Sequence, residues 1–249
     1  MELLPSILSA VLMCAVGFAA ALFARKTSST TWKWIAFGGL LWAGAMIPKF
    51  ILGYYVHTPV MEFLAEHFTG PLYLLIVGAF GGLLSSSTEL GITLIAAFAF
   101  REIGKRPRQG LAIGAGAGAL EAVILGLLMV LLTLFCLSDV YPDLEPYCES
   151  TPAVEKTLLV WLAGPFERVM AILLHTTTRA LIFVGVATGR VRLVVLSFAL
   201  FILNDGIAEA WHASGLLETT NIWLVELSFV PIAIVCVVLI KGLAHGEIR

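Results

Sequence analysis

The sequence predicts an all-α integral membrane protein. It reads as one domain over residues 1–249, a polytopic bundle of about seven transmembrane helices with its N-terminus outside and its C-terminus cytoplasmic. Three observations lead there. Hydrophobic residues make up 59% of the chain and charged residues only 13%, a balance outside that of ordinary soluble domains. Apolar runs reach the ~20 residues that a helix needs to cross the hydrocarbon core. Lys and Arg fall on alternate connections, eleven on one side against Lys156 alone on the other, which sets the orientation by the positive-inside rule. The formal net charge of −2 gives nucleic acid no electrostatic footing. The partner that composition implies is the lipid bilayer.

The first span is expected over residues 3–24. Met1-Glu2-Leu3-Leu4 lacks the basic start of a cleaved signal, and the apolar run exceeds a typical signal core. Arg25, Lys26 and Lys33 lead to a second span, 33–54, in which Lys49 either snorkels or pairs with an acid. The third span, 71–99, contains Ser85-Ser86-Ser87-Thr88-Glu89 and Thr93, with Ser85 and Thr93 one turn to either side of Glu89. Arg101, Lys105, Arg106 and Arg108 follow as topology determinants in contact with anionic lipid. The fourth span, 110–138, opens with Gly114, Gly116 and Gly118. Gly114 and Gly118 form a small-xxx-small pair that lets another helix approach closely. Glu121 lies three residues further on nearly the same face, so that approach brings a helix to a carboxyl group.

Residues 139–156 form an acidic, Pro-containing outer loop flanked by Cys136 and Cys148, candidates for a disulfide on the oxidising side. Cys14 and Cys236 read as apolar core residues. Residues 157–163 suggest a short interfacial helix that ends at Gly164-Pro165. The fifth span, 165–188, is apolar yet holds Glu167, Arg168, His175 and Arg179. At ~100° per residue, Arg168, His175 and Arg179 share one stripe, and Glu167 lies about 100° away. Arg179 is expected to snorkel toward the cytoplasmic end, and Thr176, Thr177 and Thr178 to satisfy backbone carbonyls. In the sixth span, 193–211, Asp205, Glu209 and His212 share a face; Asp205 is deep, while Glu209 and His212 read as interfacial. The seventh span, 221–241, carries Glu226 near its outer boundary. No inverted repeat relates the halves, which disfavours common transporter architectures.

An ionised side chain at the bilayer centre costs about 2.5–3.5 kcal/mol on insertion scales, so these groups must face protein or water. The embedded acids Glu89, Glu121, Glu167 and Asp205 outnumber Arg168, with His175 beside them. Such acids cannot all ionise without partners. Carboxylates beside an imidazole suit water activation, proton relay or a divalent metal, with Glu121 and His175 the metal candidates.

The order of these motifs resembles the YhfC family of intramembrane peptidases, itself similar to the group of CAAX prenyl endopeptidases and bacteriocin-processing proteins. The resemblance covers roughly residues 75–210. It rests on Glu167-Arg168 with Ala171, His175 and Thr178, on Glu121-Ala122 after the Gly-rich segment, and on Asp205. It implies a prokaryotic plasma-membrane endopeptidase acting on transmembrane or lipid-anchored proteins. Glu89 or Glu121 would activate water, His175 would polarise or protonate, and Arg168 would orient Glu167. Thr88, Ile92, Ala117 and Phe201 stand where the family has a glutamate, an arginine and two histidines, which predicts weakened or lost proteolysis. Two other readings use the same residues: a small permease or ion-coupled ligand-binding protein, and a pseudo-enzyme that binds helices through Gly114 and Gly118.

Overall fold

The chain is seen in a computed structural model that describes residues 3–28, 30–138 and 159–248. Eight α-helices account for most of these residues: α1 (Leu3–Ser28), α2 (Trp32–Leu52), α3 (Thr58–His67), α4 (Gly70–Ala99), α5 (Pro107–Ser138), α6 (Ala163–Thr188), α7 (Val191–Ala213) and α8 (Ile222–His245). Seven helical stretches among the described residues are long and apolar enough to cross a membrane. The seven expected spans coincide with them, most with ends shifted by a few residues. The proposed Cys136–Cys148 bridge and the acidic loop involve residues outside those described. Of the expected interfacial helix at 157–163, the described residues show a 3-10 turn at Val160–Leu162.

The second span is longer than its sequence suggests, running as one helical stretch over Trp32–His67. Pro59 cannot sit inside an ordinary α-helix without cost, because proline lacks an N–H and clashes with the preceding turn. The chain passes it through a wider π turn at Gly53–His57, in which the Thr58 N–H reaches back to the Gly53 carbonyl. Elsewhere the ends follow local chemistry. Gly70-Pro71 opens α4, the Asn221 side chain caps α8 by accepting from the Trp223 N–H at 3.0 Å, and Gly189 ends α6 with a left-handed φ of 69°.

Helix α6 is the axis of the bundle. Of its most apolar stretch, 83% is buried within the protein, against 22–28% for the other six. The other helices can face lipid, whereas α6 faces protein nearly all round, which is where costly polar groups are tolerated. Helices α1, α4, α5, α7 and α8 all pack against it, and α2 joins through α5 and α4.

Two glycine contacts set the helix spacing that matters. Gly114 and Gly118 of α5 lie against the backbone of α6, and a Cβ at Gly118 would fall 2.8 Å from Ile172 Cα. Gly78 of α4 crosses Gly206 of α7, where a Cβ on either would sit 2.6–2.7 Å from the other's carbonyl oxygen. The first contact sets Glu121 beside His175, and the second sets Ser85 beside Asp205. Overpacking such a contact costs about 1–3 kcal/mol. Gly114→Val should therefore lower the detergent-solubilised protein's thermal midpoint by several degrees, while an unchanged midpoint would contradict this packing.

Candidate metal centre

Glu89 of α4, Glu121 of α5 and His175 of α6 converge, with one ligand atom from each lying within 4.8 Å of the others. His175 Nε2 is 2.5 Å from Glu121 Oε2, and His175 Nδ1 is 4.0 Å from Glu89 Oε2. Glu121 Oε2 is buried, with the His175 imidazole as its polar neighbour. Two carboxylates and an imidazole form a mixed oxygen and nitrogen donor set of the kind that holds a divalent metal. The cluster is therefore able to hold a metal.

Cations brace the carboxylates. Arg168 Nη1 donates to Glu121 Oε1 at 2.7 Å, and its other terminal nitrogen donates to Glu167. Lys49 Nζ donates to Glu89 Oε1 at 2.6 Å. Arg179 donates to Glu89 Oε2 at 3.3 Å and touches His175 Nδ1. The side chain of Arg179 is fully buried, so it does not snorkel as its sequence position suggests. Helix α6 continues nine residues past it to Thr188, which leaves it about 13 Å from that end. Lys49 adopts the pairing alternative rather than the snorkelling one.

Asp205 forms a second polar group across the same space. Ser85 Oγ donates to its Oδ2, and Asn204 Nδ2 to its Oδ1 at 3.2 Å. Glu209 and His212, read from sequence as interfacial, face this space as well, and Glu209 Oε1 lies 3.1 Å from His57 Nε2. A cavity of about 250 Å³ unites these groups, and all six of Glu89, Glu121, Glu167, Arg168, His175 and Asp205 line it. Glu167 is the most open of the ion-paired acids in the cavity, its side chain 42% exposed.

The local sequence explains much of this placement. Thr176, Thr177 and Thr178 return their hydroxyls to the carbonyls of Ile172, Leu173 and Leu174 at 2.6–2.8 Å. The polar run in α6 thus needs no outside partners of its own, leaving His175 and Arg179 to face the acids. Of the four positions that depart from the resemblance, only Phe201 lines the cavity, its ring centroid 5.5 Å from that of His175. Sequence reasoning missed Arg179 and His57 as partners of cavity residues, the first of Glu89 and His175 and the second of Glu209. Arg179 had a usable signal, its spacing four residues after His175 on the same stripe, whereas His57 had none.

Residues 11–229 match a protein family described as YhfC intramembrane metalloprotease. No curated protein and no solved structure matches the chain.

Removing one member of a buried ion pair typically costs about 3–5 kcal/mol because it strands the other charge. Arg179→Met should destabilise the purified protein by that order in denaturant or thermal unfolding. A variant as stable as the parent would contradict the bracing role.

Proposed function

The chain belongs to the YhfC intramembrane metalloprotease family, and from that premise we propose that it is a metal-dependent endopeptidase. Its substrates would be transmembrane or lipid-anchored proteins of a prokaryotic plasma membrane. One observation carries this reading: Glu89, Glu121 and His175 converge inside a cavity that also holds a more open carboxylate. The chemistry that a divalent ion supplies at such a site is polarisation of a carbonyl and acidification of water.

The protein's own groups divide the remaining work. Arg168 fixes the rotamers of Glu121 and Glu167 together, since one guanidinium bonds both. Glu89 is a poor base because Lys49 and Arg179 both hold it. Glu167 has a single cationic partner and an exposed face, so it takes the proton from attacking water and returns it to the departing amine. Asp205, anchored by Ser85 and Asn204, accepts hydrogen bonds from substrate backbone amides.

Thr88, Ile92 and Ala117 do not line the cavity, and Phe201 contributes a ring against His175. Glu89, Glu121 and His175 come together without them, and on that ground we read the protein as active rather than degenerate. In proteoliposomes carrying a transmembrane reporter, Glu167→Gln should lower kcat by about 100-fold or more with metal content unchanged. A chelator should stop cleavage reversibly. Undiminished cleavage after chelation, or normal cleavage by Glu89→Gln, Glu121→Gln and His175→Ala alike, would overturn the assignment.

A further inference from the structure

We infer that Lys49 is an internal counter-cation that competes with the metal for Glu89 and sets how tightly the centre holds it; this rests on the metal-centre reading above. Three cationic side chains touch the candidate ligands, and they differ in their freedom to leave. Arg168 and Arg179 have side chains 7% and 0% exposed, and each makes a second contact, to Glu167 and His175 respectively. Lys49 is 36% exposed while the Glu89 it holds is only 4% exposed. Its side-chain hydrogen bond among the described residues is the one to Glu89, at 2.6 Å. Lysine also carries its charge on a flexible four-carbon stem, whereas arginine presents a rigid fork.

The backbone around Lys49 is the least regular part of the second span. Pro48 precedes it inside α2, and the π turn Gly53–His57 follows. Lys49 lines the cavity, so its ammonium can swing into that space without displacing packed side chains. With the ammonium in place, both oxygens of Glu89 already face cations. A divalent ion arriving beside Glu89 meets like charge at close range, which is strongly unfavourable in a medium of low dielectric constant. Withdrawal of Lys49 frees Oε1 and removes one of those two charges, leaving Arg179 in place at Oε2. Glu89 then keeps a cation in both states, the ammonium without metal and the metal with the ammonium withdrawn. Only an ion bound tightly enough by Glu121 and His175 displaces Lys49, so the lysine sets a threshold for loading.

Zinc affinity of the purified full-length protein in detergent, measured by titration against a competing chelator, tests this without any cleavage assay. Lys49→Met should bind zinc at least about tenfold tighter than the parent, a tenfold change being about 1.4 kcal/mol. Lys49→Arg, which keeps the charge, should stay near the parent value, and Glu121→Gln should lose binding. If the parent binds zinc and Lys49→Met binds it no more tightly, or if Lys49→Arg tightens as much, the role of Lys49 is overturned and the metal centre stands. If neither the parent nor any variant binds zinc, the metal centre is overturned with it. A Lys49→Met protein that folds neither with nor without zinc also overturns the role, because the metal should replace the ammonium at Glu89.

Discussion

Glu89 depends on two cations brought from different helices, and most of the architecture can be read as what that arrangement requires. A carboxylate with 4% of its side chain exposed is expensive inside a membrane protein unless opposite charge and hydrogen bonds meet it. Arg179 supplies one cation from α6 and Lys49 the other from α2. A fully buried guanidinium is tolerable only on a helix screened from lipid, and among the described residues α6 is the one helix buried on nearly all sides. The glycine faces of α5 and α4 then serve a chemical end. They bring backbones close enough for carboxylates on neighbouring helices to share cations and an imidazole.

The same constraint divides the cavity. Around Glu89, Glu121 and His175 the charges are braced, buried and close enough together to hold an ion. Around Glu167, Asp205 and Glu209 the polar groups are more open or lean on hydroxyl, amide and imidazole partners. A fixed ligand set beside a more yielding polar wall is what a hydrolase needs, since ligands must hold still while substrate and water exchange. The cavity's position supports that division. Lys49, Glu167, Glu209 and His212 lie toward the ends of α2, α6 and α7 remote from the basic connections, while Arg179 lies deeper along α6.

Much of this was legible in the chain, for a physical reason. Charged residues in apolar helices are costly, so each one announced itself, and the small-residue spacing ahead of Glu121 indicated which helix face would meet a neighbour. The reading failed where depth was judged from position in the sequence alone. Arg179 seemed close to an end because the burial of α6 depends on five surrounding helices, which no local pattern encodes. His57 pairs with Glu209 across 152 residues, from a π turn that runs past the expected end of the second span. The cationic bracing of Glu89 was half visible. From sequence Lys49 either snorkels or pairs with an acid; that it pairs, and with which acid, depends on the crossing of α2 with α4.

X-ray absorption at the metal edge of zinc-loaded, purified protein tests the central claim most directly. The account predicts one ion per chain with a first shell of oxygen and nitrogen only, a single imidazole in the outer scattering, and loss of that signal in the Glu121→Gln and His175→Ala proteins. Sulfur ligation, two or more imidazoles, or an unchanged spectrum in those variants would place the ion elsewhere and contradict the account.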